Sequence, residues 1–260
     1  MKKATIILAF LMLFTTSVDA QRNKRSAKKQ TTKKVAVTKS KAADSNSAEA
    51  KANAERESKA KELFFTASQY LGGIGVAEDK AKGISILKEA ADLGYAKAAT
   101  EIRAIEICKE AEKYMDGNGV RKDWDKAASL VREAANTGSA YGQRLMSICY
   151  YEGIGVKKDL SEYRAWVRKA AQSGDLLSQY LMASMLATGS DGMEIDYVEA
   201  ARWYEAPAKA GDRECMKMLG AMYLLGKGVD IDKEKAAKLL RKAAEMGDEM
   251  AKKIVKDRGL

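Results

Sequence analysis

What most constrains the fold of this chain is a short string that returns at regular intervals. Gly-x-Gly-Val begins at Gly73, Gly117, Gly153 and Gly226, and a degenerate copy, Gly189 to Met193, stands where a further one is due. A second mark, Ala-Ala-x-x-Gly, closes at Gly94, Gly138, Gly174 and Gly247, and in altered form, Pro207-Ala208 to Gly211. The closing glycines lie 44, 36, 37 and 36 residues apart. Such a period belongs to a row of similar supersecondary units, each too small to hold a core of its own.

Each unit reads as two antiparallel helices. In the third copy, Gly142, Leu145, Met146, Cys149 and Tyr150 recur at helical spacing and mark a first helix, A. Gly153-Ile154-Gly155 ends it, because glycine enters the left-handed conformation without a side-chain clash. Asp159 is placed to cap a second helix, B, by accepting orphan amide hydrogens of its first turn; Asp79, Asp123, Asp196 and Asp232 hold the same place elsewhere. Helix B then carries Trp166-Val167, or Ile86-Leu87, Leu130-Val131, Trp203-Tyr204 and Leu239-Leu240, towards the core. Three residues before the first glycine stands Tyr70, Tyr114, Tyr150 or Tyr223, with Leu186 in the odd copy; these tyrosines are expected in the core. Three residues earlier there is always something small: Ala67, Ala111, Ser147, Ala183 or Gly220. One hairpin cannot bury both of its faces, so the units must stack.

The pattern small-x-x-Tyr-x-x-Gly-x-Gly-Val, then Asp, then Lys-Ala-Ala-x-x-Gly resembles the Sel-one-like repeat, a branch of the tetratricopeptide superfamily, over about residues 58 to 260. The resemblance implies an all-α fold: a right-handed α-solenoid superhelix of five helix-pair repeats with a C-terminal capping helix, helix A lining a concave face. It also implies an adaptor that assembles or regulates other proteins. In that superfamily the open positions of helix A lie three before and four after the small residue. Here they are Phe64, Arg144, Tyr180 and Lys217 on one side, and Leu71, Tyr151 and Leu224 on the other. Phe64, Arg144, Tyr151, Tyr180 and Lys217 are therefore the candidate partner-binding residues; the alternative is that some of them are buried between units.

Three departures from the pattern carry structural expectations. The first interval is eight residues too long, which predicts a helix from about Ala96 to Met115 with roughly two extra turns. The fourth copy has an extra loop residue within Ser190 to Glu194, and Pro207 within its helix B should kink that helix. Glu249 to Asp257 reads as a lone terminal helix with Lys252, Lys253 and Lys256 turned outward.

Residues 1–20 read as a signal peptide: Lys2 and Lys3, an apolar run from Ala4 to Phe14, and Val18-Asp19-Ala20 before the cut. An uncleaved anchor is the alternative, but the run falls short of the roughly 20 residues that span a bilayer. The protein is thus expected to be exported, periplasmic or extracellular. Of the formal charge of +10, nine positive charges and no negative one fall in residues 21–41. That segment, within a linker 21–57 free of aromatic residues, should be disordered. It could touch an anionic envelope polymer or membrane surface, or serve as a spacer; the lack of stacking side chains argues against nucleic acid.

The chain has no histidine, which removes the commonest general base, the usual zinc ligand and every Ser-His or Cys-His arrangement. No cofactor or metal site is expected. Gly-x-Gly-Val follows a helix in each copy, whereas a dinucleotide fingerprint follows a strand. Ser58-x-x-Lys61 and Ser85-x-x-Lys88 match the nucleophile string of penicillin-recognising enzymes, without its Ser-Asp-Asn or Lys-Thr-Gly companions. Cys108, Cys149 and Cys215 lack the paired spacing of the cysteine-rich branch of the family, some of whose members are credited with penicillin binding or β-lactamase activity. A cell-wall-associated penicillin-binding or wall-polymer-binding protein remains the alternative function.

Overall fold

The computed structural model describes residues 49–260; the leader and most of the basic linker lie outside them. Residues 57–260 make one compact unit. Helix α1 runs through 49–72, of which 57–72 belongs to that unit. It is followed by α2 (Lys80–Asp92), α3 (Ala96–Asp116), α4 (Trp124–Asn136), α5 (Ala140–Glu152), α6 (Leu160–Ser173), α7 (Leu176–Thr188), α8 (Tyr197–Lys209), α9 (Arg213–Leu225), α10 (Lys233–Glu245) and α11 (Glu249–Arg258). Odd-numbered helices up to α9 are the A helices, even-numbered ones the B helices, and α11 closes the row. Among the described residues there is no strand.

Local chemistry sets the ends of these helices. Asp79, Asp123, Asp159, Asp196 and Asp232 each accept an amide hydrogen from the first turn of the following B helix. A second set caps the helices after the closing glycines: Ser139, Asp175, Asp212 and Asp248 accept from α5, α7, α9 and α11. Each such cap is worth about 1 kcal/mol. The amide of each aspartate in the first set donates back to the preceding A helix, to the carbonyl of Tyr70, Tyr114, Tyr150, Leu186 or Tyr223, at 2.9–3.1 Å. The odd copy keeps this bond at 2.9 Å by absorbing its extra residue in a turn of 3-10 helix, Ser190–Gly192, with Asp191 at φ 52°.

Packing follows the small and large residues. The small positions Ala67, Ala111, Ser147, Ala183 and Gly220 are all buried, as are Leu87, Val131, Val167, Tyr204 and Leu240 on the B helices. The paired alanines permit near-contact of backbones: a Cβ on Gly142 of α5 would lie 2.7 Å from the Ala134 carbonyl carbon of α4. Neighbouring repeats approach just as closely at the second glycine of the loop. A Cβ on Gly155 would fall 2.0 Å from the Trp124 carbonyl oxygen, and one on Gly228 would fall 2.1 Å from that of Tyr197. The repeat tyrosines are half-buried, not fully enclosed, and three of the four share the ring with a cation of an adjacent helix. Lys82 sits 4.2 Å from the Tyr70 ring centre, Lys235 sits 5.1 Å from that of Tyr223, and Arg132 donates to the Tyr150 hydroxyl at 3.1 Å. Pro207, where a kink is expected, does not end α8, which keeps the 13-residue length of α4 and α10.

The lengthened helix has the largest consequence. α3 has 21 residues against 13 in α5, α7 and α9, an overhang of about 12 Å at 1.5 Å per residue. Its later half packs Ala111 with Ala127 and Val131 of its own repeat. Its earlier half packs Ala98, Ile105 and Cys108 with Phe64, Leu71 and Leu87 of the first repeat. Carried on this overhang, the first hairpin folds back over the corners where B helices turn into A helices further along. Gln69 donates its side-chain amide to the Ala210 carbonyl at 2.6 Å, across 141 residues of sequence. Ile74 is buried with Leu176 and Ala210, beside Phe65, Leu177 and Ala206. Gly119, the second loop glycine of repeat 2, correspondingly has nothing within 4 Å of where a Cβ would stand.

Gly119 and Gly155 have alike positive φ angles, 73° and 59°, and differ in what surrounds them. Gly119→Ala should therefore cost about 1 kcal/mol in backbone strain, whereas Gly155→Ala adds a clash with helix α4 and should cost at least about 1–3 kcal/mol more. Urea midpoints of the two variants measure the difference.

Candidate interaction surface

The candidate residues divide into two groups. Arg144, expected to face a ligand, is 9% exposed. Its Nε donates to Asp175 Oδ2 at 3.0 Å, its Nη2 to the Leu71 carbonyl at 3.4 Å, and its guanidinium lies 5.1 Å from the Tyr141 ring centre. Asp175 simultaneously caps α7 by accepting from the Ser178 amide and hydroxyl at 2.7 and 2.6 Å. Burial opposes the charge on Arg144, and the Asp175 carboxylate, Tyr141 and Glu78 together outweigh it, so the group stays protonated with its pKa raised.

Phe64 is likewise buried, its ring edge-on to Tyr95 at 5.2 Å between centres, and Leu71 is enclosed beside it. Lys217 is half-buried, with Nζ 2.7 Å from Glu214 and 3.6 Å from Asp248; burial works against its charge, and those two carboxylates more than restore it. Tyr180 is half-buried, and desolvation, then Glu214, Cys215 and Asp212, push its hydroxyl pKa up.

A single rule explains these placements. The residue three before the small position reaches the residue that opens the next A helix or the terminal helix: Phe64 to Tyr95, Arg144 to Asp175, Lys217 to Asp248. In this chain that position links repeats. Of the two alternatives, open to a ligand or buried between units, burial holds for Phe64, Leu71 and Arg144, which the folded-back hairpin and the next repeat enclose.

Two turns further along α5 the same helix face is open. Tyr151 is 46% exposed and Ile148, one turn earlier on α5, is 40% exposed. The Tyr151 ring is tilted against that of buried Tyr163 at 5.0 Å, which holds it in place while leaving its outer face free. Leu224 of α9 is partly exposed at the register of Tyr151. Ile148 escapes the sequence reading because the register rule does not include its position.

A buried acid also escapes it. Glu101, in the α3 overhang, is 5% exposed; its carboxylate accepts from the Ser139 hydroxyl and from the Ala140 and Tyr141 amides at 2.6 and 3.1 Å. It therefore sits on the N-terminus of α5, where a helix favours negative charge. Burial raises its pKa, and the three donors partly offset the rise.

The catalytic strings find no working geometry. Ser85 and Lys88 are both exposed on α2. Lys61 is exposed and bound to Glu57 at 2.5 Å, which raises its pKa where a lysine base needs it lowered. Burial lifts the thiols of Cys108 and Cys149 to about 12 and about 11, and that of Cys215 upward too, so none is a nucleophile at neutral pH. Among the described residues no cluster of metal-ligating side chains occurs, and no helix is long and apolar enough to cross a membrane.

Helix pairs stacked in register, with close glycine contacts between them, define a helical-repeat solenoid. The chain matches the Sel1 repeat at residues 60–95, 111–139, 140–175, 176–212 and 213–248, and it belongs to that family. The stretch left unmatched between the first two units, 96–110, contains the overhang of α3. No curated protein matches the chain. Among solved structures it is similar to a Sel1 repeat protein from Oxalobacter formigenes, with 28% identity over 76% of this chain and 66% of that one and a TM-score of 0.52. It also resembles a protective antigen of uropathogenic Escherichia coli with the same repeat fold, 31% identical over 74% of this chain, TM-score 0.47. This chain spans 39% of that protein's length. A third similarity is to Helicobacter pylori cysteine rich protein B, at 22% identity over 53% of this chain and 98% of that one, TM-score 0.36.

Two substitutions test the buried groups. Arg144→Ala strands the Asp175 carboxylate in the seam and should cost about 3–5 kcal/mol by urea denaturation, a loss of stability that a surface arginine would not give. For Glu101 the sign follows from its raised pKa. The folded state holds the proton more tightly, so its contribution is greatest below 4.5 and declines as pH climbs through the raised value. Glu101→Gln cannot ionise, so its midpoint should lack that decline.

Proposed function

We propose that this chain is an exported, non-enzymatic adaptor that holds a protein or peptide partner on the exposed part of its A-helix face in repeats 3 to 5. Sel1-repeat proteins are generally protein-interaction scaffolds. The observation that carries the reading is the pair Ile148 and Tyr151, exposed on α5 with the tyrosine ring braced from beneath. Half-buried Tyr180 and partly exposed Leu224 provide further apolar area on α7 and α9. Braced aromatic side chains of low conformational freedom are the residues that dominate binding energy at interfaces. Export rests on the leader in residues 1–20, and attraction of residues 21–41 to an anionic envelope polymer or membrane surface would add a second, salt-sensitive attachment. The wall-enzyme alternative gains nothing from the exposed Ser85 and Lys88.

Replacing Ile148, Tyr151 and Tyr180 together by alanine removes the centre of this surface. Two hot-spot losses of about 2 kcal/mol each correspond to nearly a thousandfold weaker binding. Proteins that the wild type retains from its native envelope should be lost by the variant while its far-UV circular dichroism is unchanged. Equal retention by both proteins would reject this surface.

A further inference from the structure

The folded-back first hairpin does more than end the array. The edge it covers is built from corners of successive repeats, each supplying the same kind of contact. Tyr141, from the α4–α5 corner, packs with Phe64; a Cβ on Gly174, from the α6–α7 corner, would lie 3.9 Å from the Phe64 ring; Leu177 would lie 3.4 Å from a Cβ on Gly72. At the α8–α9 corner a Cβ on Gly75 would fall 2.2 Å from the Ala210 carbonyl oxygen, the same carbonyl that Gln69 holds. The space left between Phe64, Leu71, Tyr141 and Asp175 is only about 10 Å³. The fit is close and uses one helix face and one glycine turn.

The edge also continues beyond the hairpin. Met246 and Met250 at the α10–α11 corner hold the register of Ala210 and Leu177, and they are 42% and 58% exposed. Two methionines offer an adaptable apolar surface. The covered and uncovered corners therefore form one stripe, of which the hairpin occupies the earlier part.

We infer that this corner edge is a second binding surface, one that accepts an amphipathic helix ending in a glycine turn, and that the first hairpin is its built-in occupant. A partner helix with the chemistry of Phe65, Gln69, Gly72 and Ile74 binds by displacing α1 from the corners. The covered corners are distinct from the exposed Ile148 and Tyr151, so different variants test the two surfaces and each can fail alone. Hydrogen bonds from Gln69 and Arg144, the packing of Phe64 with Tyr141 and the Ile74 cluster hold the hairpin down, a seam confined to the first hairpin that opens locally while the rest stays folded.

The test uses the full chain in three forms, with a labelled synthetic peptide of residues 57–76 as the probe. Gly75→Val drives a side chain into the Ala210 carbonyl and opens the seam. Gly72→Cys with Leu177→Cys places two Cβ atoms close enough for a disulfide that locks it. Hydrogen exchange of residues 57–76 should speed up at least tenfold in the opened form, with residues 111–258 unchanged. The peptide should bind the opened form at least tenfold more tightly than the wild type, and should not bind the oxidised locked form until it is reduced. Gln69→Ala, which removes one bond and no backbone freedom, should shift both readings in the same direction by less. Binding indifferent to the lock, or to none of the forms, overturns the inference; so does loss of protection throughout 111–258 in both Gly75→Val and Gln69→Ala.

Discussion

Two helices of 13 residues laid side by side can cover only one face of each other, and the uncovered face must find a neighbour. Everything in this molecule follows from how that neighbour is brought close enough. Carbonyl groups of one repeat nearly touch the α-carbons of Gly155 and Gly228 in the next, an approach that any side chain would prevent. The paired alanines do the same between a B helix and the next A helix, as Ala134 does with Gly142, and the small residue of each A helix admits its own B helix, as Gly220 admits Leu240. Large side chains then fill what is left: Leu87, Val131, Val167, Tyr204 and Leu240 occupy equivalent places and are almost wholly buried.

Polar groups fix the register that this packing leaves free. The aspartates at the helix starts do two tasks each, accepting amides of their own helix while their backbone ties to the previous one or their carboxylate pairs with a cation across the seam. Asp175 shows why the pairing matters: a carboxylate 7% exposed is tolerated because Ser178 and Arg144 satisfy it from two directions. Glu101 plays the same part for the overhang, bonding the start of α5 to a helix that would otherwise project into solvent.

The periodic part of this design was legible in the residues. The repeat boundaries, the aspartate caps before the B helices, the extra two turns of α3 and the terminal helix all leave local marks that composition and spacing reveal. Three things leave none. The caps at Ser139, Asp175, Asp212 and Asp248 follow each closing glycine, but the mixture of serine and aspartate hides them within ordinary loop composition. Phe64 and Arg144 stand where the family resemblance implies open side chains, and nothing nearby in sequence announces what encloses them. The fold-back itself joins Gln69 to Ala210 across 141 residues, a pairing with no periodic signature. Its cause was visible as eight surplus residues, its direction was not.

The fold-back has a bearing on how such a protein can grow. Arrays of modules ordinarily lengthen or shorten by duplication or loss of whole units, since each touches only those beside it. Here α1 is a ruler laid against three successive corners, and its glycine turn meets the third. Adding or deleting a module between repeats 2 and 4 would carry Ala210 out of reach and leave Ile74 facing water. Growth by duplication is therefore confined to the far end, past α9, and the span between the two ends of the strap is held to its present number of units.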